Sequence, residues 1–275
     1  FFYMTLFTFV VVILLNNSYV YLMEVNIMRV FKKYITKIVH IFIVLILSIK
    51  TVSSEENIMD ESNILFDQGK YIEAVNLASK ILSIESFLFR ANTLAIYGHF
   101  ILEGEEALKV FKEARGYAEK ALEIDITNDA AHLEVAHTMG RYSQLIGVLS
   151  ALKQGYAEKI AFHLDEAIKL NPRNVSAQIS KGTWHAEIVN KAGFMSKILY
   201  GATSDFAREH YKIALRLNIN NIGILYEVAN GLILLEEKQD ILNAKRLLLS
   251  ALEIKPKNHL DHLYLNKVKF LIEKL

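Results

Sequence analysis

The sequence predicts an all-α fold, a superhelical stack of about five helical hairpins with lengthened helices, preceded by a hydrophobic N-terminal leader. Three observations point to it. The phrase Ala-[Ile/Leu]-x-[Leu/Ile]-x-[Pro/Ile]-x-Asn occurs at residues 121–128, 167–174, 214–221 and 251–258. The chain's only two prolines, Pro172 and Pro256, fall in the same slot of that phrase, and twelve glycines in 275 residues leave few helix breakers. No run sustains the period-two alternation of a half-buried strand.

The leader comes first. Residues 1–27 form an apolar upstream segment, either a mis-called start, since the chain opens on Phe1, or a membrane segment. Residues 28–54 read as a secretory signal peptide or signal anchor. Arg29, Lys32, Lys33 and Lys37 supply the positive end, 38–49 the apolar core, and Val52-Ser53-Ser54 the small residues for cleavage. That core is shorter than the roughly 20 residues of a membrane crossing, which favours removal over anchoring. In a bacterium both outcomes place the body outside the cytosol, exported or periplasmic, or membrane-anchored if the segment stays.

Residues 55–258 hold the hairpins. In the first unit Gly69-Lys70-Tyr71 turns the chain, and Ala74, Ala78 and Ile81 follow at packing positions; Ile81-Leu82-Ser83-Ile84 is a looser copy of the phrase. Each phrase ends one helix and opens the next. Alanine allows close approach, the two aliphatics face the core, and proline cannot continue the preceding helix. Asn128, Asn174, Asn221 and Asn258 are placed as N-caps. The last unit repeats the theme with Ala244, Leu248, Ala251 and Leu252. Residues 259–275 form a terminal amphipathic capping helix, with Leu263, Lys267 and Phe270 at helical spacing.

This pattern resembles the tetratricopeptide repeat, whose unit has about 34 residues. Here the phrase openings at 81, 121, 167, 214 and 251 are 40, 46, 47 and 37 residues apart. The excess is expected as added helical turns. A narrower resemblance lies in Gly182-Thr183-Trp184-His185-Ala186-Glu187, Lys197-Ile198-Leu199-Tyr200-Gly201-Ala202 and 207–217. These look like the regulator of microtubule dynamics family and its bacterial relatives, over residues 60–275. The resemblance implies a tetratricopeptide-like domain behind a hydrophobic segment. The shared features are scaffold features, so no tubulin contact is carried over.

Charge and motifs then narrow the function. Residues 1–54 hold five basic groups and one acid, leaving 26 basic and 29 acidic residues, about −3, on 55–275. A slightly acidic body without a basic stripe is a poor nucleic-acid ligand. With no cysteine there is neither disulfide nor thiolate chemistry. No His-Glu-x-x-His, glycine-rich phosphate loop or Gly-x-Ser-x-Gly occurs. His132 and His137 point away from one another, and His259 and His262 read as capping and surface groups. No metal, cofactor or enzyme activity is expected.

The candidate partner-binding residues are Trp184, His185, Arg141, Tyr142 and Tyr200. Trp184, the only tryptophan, is either packing or a groove wall. Arg141 and Tyr142 of the preceding unit would line the inner groove beside it. His185 and Glu187, two apart on a helix, cannot easily share a ligand. The expected function is a non-catalytic scaffold holding a protein or peptide in its concave groove outside the cytosol. The alternative is a transporter-associated small-molecule module, recognisable by an enclosed, partly apolar pocket instead of an open groove.

Overall fold

The computed structural model describes residues 32–37 and 55–275, which fall into two units, 1–57 and 58–275. In the first unit, residues 32–37 are helical and each of them is exposed. The rest of the predicted leader lies outside the described residues. Among the described residues no helix is long and apolar enough to cross a membrane.

The described residues of the second unit are helical, without strands. A helix over 55–67, here α1, leads into α2 (Tyr71–Ala78). Next come α3 (Ile84–Phe100), α4 (Gly104–Ile124), α5 (Asp129–Ile146), α6 (Val148–Lys153) and α7 (Tyr156–Leu170). The chain continues through α8 (Val175–Ala192), α9 (Met195–Tyr200), α10 (Ser204–Leu217), α11 (Ile222–Ile233), α12 (Lys238–Leu252) and α13 (His259–Lys274). The hairpins are α1/α2, α3/α4, α5/α7, α8/α10 and α11/α12, with α13 packed on α11 and α12. The first helices of successive hairpins also touch: α3 meets α5, α5 meets α8, α8 meets α11, and α11 meets α13. They form an inner row.

The phrase builds each joint. Its alanines, Ala121, Ala167, Ala214 and Ala251, are fully buried, so no bulky side chain stands between the paired helices there. All four asparagines cap the following helix: the N–H groups of Ala131, Ala177, Ile224 and Asp261 donate to Asn128, Asn174, Asn221 and Asn258 at 2.9–3.0 Å. Ser83 does the same for α3, accepting from Ser86 at 3.2 Å. One further position carries structure. Asp125, Asn171 and Asn218 each accept from the backbone N–H two residues on, making a side-chain-stabilised turn before the cap. Asn171 and Asn174 also donate to Asp129, tying one cap to the next.

The aliphatics of the phrase do not behave uniformly. Leu122, Ile168 and Leu215 are half-buried, but Ile124, Leu170 and Leu252 are exposed. They sit at the ends of their helices, where the partner has already turned away. Ile126 and Ile219, in the proline slot, are exposed as well. The slot is selected for the turn, not for burial.

The extra length of the units has two sources. Several helices are long, with 21 residues in α4 and 18 in α5 and α8. In the two longest units the excess also forms separate short helices, α6 and α9, between the arms of the hairpin. Gly147 (φ 82°) and Gly155 (φ 64°) bracket α6, and Gly193 (φ 54°) and Gly201 (φ 66°) bracket α9. Left-handed backbone at both ends stops either helix from merging with its neighbour.

The two ends of the unit meet. Tyr71 at the start of α2 and His259 at the start of α13 share a 3.0 Å hydrogen bond, and Asn258 donates to Asp67 at 3.1 Å. Phe100 stands edge-on to Tyr264, ring centroids 4.9 Å apart. Gly69 permits this closure: a Cβ there would lie 2.5 Å from His259 Nδ1, and its φ is +78°. His259 is therefore a closing contact, not a surface group. The register of α13 differs from the expected one too, with Val268 buried and Phe270 exposed beneath Lys274.

Tyr211 is the tightest joint of the core. Gly182 and Gly231 flank its ring, and a Cβ at Gly231 would fall 1.8 Å from its hydroxyl. Gly231→Ala should destabilise the fold by about 1–3 kcal/mol despite alanine's better helix propensity. Tyr211→Phe in the same chain should recover part of that loss, as read by urea unfolding. Asn221→Ala should cost about 1 kcal/mol through its cap alone. Asn174→Ala should cost more, because the bond to Asp129 goes as well.

Candidate ligand-binding site

The inner row lines a cavity of about 570 Å³, walled by α3, α5, α8, α11 and α13 and bordered by α6, α7 and α9. The lining follows a helical stripe measured from each cap. Two residues past the asparagine stand Ser176, Gly223 and Leu260; six past it, Ser180, Glu227 and Tyr264. Nine past it are His137, Thr183 and Asn230, and thirteen past it Arg141 and Glu187. Offsets of two, six, nine and thirteen keep to one face of a helix. Capping thus sets the phase of the wall.

Most of the lining is apolar, including Ile96, Leu133, Ile160, Leu164, Ile179 and Ile188. Polar groups form two chains across it. Arg141 Nη2 donates to Glu227 Oε1 at 3.0 Å, joining α5 to α11, and Tyr264 donates to the same oxygen at 3.3 Å. Both members of the ion pair are largely buried. Burial first, then the Glu227 charge, pushes the Tyr264 hydroxyl well above its ordinary pKa, so it stays a donor. The second chain runs from Gln144, which donates to Glu187 at 3.1 Å, to Lys191, which pairs with Glu187.

Three of the five sequence candidates meet here. Arg141, Trp184 and Tyr200 line the cavity. Trp184 is also core: its indole N–H donates to Ala157 O at 2.9 Å, and Lys181 Nζ lies 4.6 Å from its ring centroid. Tyr142 and His185 fall outside. Tyr142 lies one residue past the Arg141 stripe, about 100° round the helix; its ring packs edge-on to Tyr156 at 5.9 Å. His185 turns away from the cavity into a packed cluster, stacked on His210 at 5.7 Å and beside Phe206. Glu187 faces the cavity, so the two do point apart. Glu227, Tyr264, His137, Thr183 and Asn230 were missed; counting from the caps would have found them.

A side-chain bridge recurs behind the wall. His132 Nε2 donates to Ile126 O at 3.0 Å, and its Nδ1 lies 3.0 Å from His163 Nδ1. One unit later Gln178 donates to Pro172 O at 3.0 Å and accepts from His210 at 2.7 Å. Each ties a phrase carbonyl to the outer helix. Among the described residues no cluster of His, Cys, Asp and Glu could hold a metal.

Helical hairpins stacked with their first helices in one inner row define a tetratricopeptide-like helical-repeat protein. The chain belongs to the regulator of microtubule dynamics family: the model for regulator of microtubule dynamics protein 1-3 matches residues 58–275. No curated protein matches the sequence. A tetratricopeptide-repeat protein of Thermus thermophilus shares the fold, with 20% identity and a TM-score of 0.54 over 77% of this chain and 97% of that one. YrrB, a tetratricopeptide-repeat protein with an unusual peptide-binding site, aligns at 16% identity and TM-score 0.37 over 77% of this chain and 90% of its own.

Trp184→Phe should lower stability by about 1–3 kcal/mol, because the bond to Ala157 O is lost and the smaller ring leaves a buried site underfilled. A melt unchanged from the parent would make the residue a wall only. Burial, followed by neighbouring positive charge, holds His185 at about 4, and burial with His132 beside it holds His163 at about 4. The unfolded chain binds those protons nearer 6.5, so stability should be full above pH 6.5 and fall as pH drops towards 4. Urea midpoints measured across that window check the slope, and His185→Phe should flatten it.

Proposed function

We propose that the protein is a non-catalytic binding protein whose concave cavity holds a small amphipathic molecule. The observation that carries this reading is the cavity itself. Its volume, about 570 Å³, falls within the roughly 300–1,000 Å³ of small-molecule sites. Its walls are mainly apolar, and its polar groups are gathered along the Arg141–Glu227–Tyr264 and Gln144–Glu187–Lys191 chains. The contact of α13 with α2 and α3 bounds the concave face at one end, which supports a bounded pocket over a groove open along its whole length.

A second reading keeps a protein or peptide partner on the concave face. It is favoured by the lining itself, which continues over the inner helices from α3 to α13 and could receive an extended segment. In both readings the leader supports a body placed outside the cytosol, exported or anchored. The family's name refers to microtubule dynamics; the predicted export supports a different setting, and a tubulin-directed role is not part of the proposal.

Capture of the 55–275 body from its own envelope fraction, followed by native mass spectrometry, tests the choice. A bound non-protein mass at one per chain is expected. Ser180→Phe, which fills the cavity from α8, should abolish it while leaving the helical melt in place. Recovery of one stoichiometric protein and no small molecule would overturn the first reading in favour of the second.

A further inference from the structure

Building on the small-molecule reading, we infer that the molecule in the cavity has an uncharged head that accepts and donates hydrogen bonds side by side, as a carboxamide does. That head is seated on the Arg141–Glu227 pair, with an apolar body behind it. The charged side chains of the wall are four among the described residues: Arg141, Glu187, Lys191 and Glu227. They stand as two pairs of opposite charge, Arg141 with Glu227 and Lys191 with Glu187. The surface that meets a ligand therefore has no net charge to offer it.

Titratable groups packed around the first pair keep that balance. On α5, Glu134 accepts from Asn92 at 3.0 Å and lies 3.6 Å from His137. On α13, Lys267 stands with Arg141 and His137 about His99 of α3, whose pKa is lowered to about 2 by burial first and then by these three neighbours. One acid and one base are added, and His99 stays neutral. A charged head would enter without a counter-ion, or would displace one member of Arg141–Glu227 and strand it in an apolar wall. An uncharged head avoids both penalties.

Unused hydrogen-bonding atoms decide where the head sits. Both oxygens of Glu187 are taken, Oε1 by Gln144 and Oε2 by Lys191. The Arg141–Glu227 pair, which is more buried, is not closed in this way. Arg141 donates through Nε to His137 and through Nη2 to Glu227, and Glu227 accepts Arg141 and Tyr264 on Oε1 alone. Arg141 Nη1 and Glu227 Oε2 have no partner among the described residues. Neither is sealed in, because the buried side-chain atoms without a partner belong to Arg90, Arg115, Glu134 and His185. A donor and an acceptor thus open onto the cavity from two planar groups already joined at 3.0 Å. A carbonyl oxygen satisfies the first and an N–H the second. The apolar body then lies along Leu133, Ile160, Leu164 and Ile179, against Trp184.

Trp184 is the chain's only tryptophan and lines the cavity, so its fluorescence reads occupancy directly in the full-length protein. Decanamide, decanoate, decylammonium and 2-aminodecanoate share one tail length and differ in the head. Titrated at neutral pH, decanamide should bind at least about tenfold more tightly than each of the others. Ser180→Phe should abolish the response. Glu227→Gln leaves Arg141 uncompensated, so decanoate should overtake decanamide in that variant. Should the variant fail to fold, the order of the heads on the parent chain decides alone.

Equal affinities across the heads would overturn the inference. Tighter binding of decanoate or decylammonium would overturn it in favour of a head that takes a place in the ion pair, and tighter binding of 2-aminodecanoate in favour of a zwitterion. In each of these outcomes the small-molecule reading survives. No response to any of the probes would overturn the inference as well, and native mass spectrometry of the captured body then shows whether the small-molecule reading falls with it.

Discussion

The asparagine cap is the constraint from which the rest of this structure follows. A helix N-terminus leaves backbone donors unpaired, and one side chain at a fixed position resolves part of that deficit. Because the cap fixes where each inner helix begins, it also fixes which of its residues point inward. The cavity wall is the result, read off at two, six, nine and thirteen residues from Asn128, Asn174, Asn221 and Asn258. The bonds from Asn171 and Asn174 to Asp129 carry that phase from one unit to the next. A lost cap would therefore disturb helix stability and the rotation of the wall together.

Closure is the second constraint, and it acts against the usual weakness of a repeat stack. Terminal units have one unpartnered face, commonly covered by a polar-faced helix. Here α13 does more, because its first turn reaches back to the first hairpin through His259 and Asn258. The cost is a conformational demand at Gly69, whose neighbourhood has no room for a side chain. Its consequence is that α3 and α13, remote in sequence, become walls of one cavity. Phe100 and Tyr264 mark where they join.

The fold was largely legible in the sequence because its determinants are local. Helix ends, caps and close-packed alanines are written within eight residues of phrase, and all four asparagine caps formed as expected. The site was less legible for two different reasons. Only adjacency in sequence links Tyr142 to Arg141 and His185 to Trp184, and one residue along a helix is a 100° rotation. The Arg141–Glu227 pair and the Tyr71–His259 closure join residues 86 and 188 positions apart, with no local pattern to announce them. Helices α6 and α9 escaped for a third reason. Six residues cannot display a helical period, and their flanking glycines read equally well as a loop.

The buried ion pair across the cavity connects architecture to recognition. Stability alone is a weak reason to keep Arg141 and Glu227, since a buried pair is often no better than well-packed apolar residues of similar size. Removing one partner, by contrast, strands a charge in an apolar wall. The pair therefore restricts what else can occupy the cavity: an entirely apolar ligand leaves it intact, whereas a ligand with a charged group can exchange for one of its members. Tyr264, kept protonated by burial and by Glu227, adds a donor at the same point. On the proposed reading, recognition would be concentrated where α5, α11 and α13 converge, and the apolar remainder of the wall would supply area more than choice.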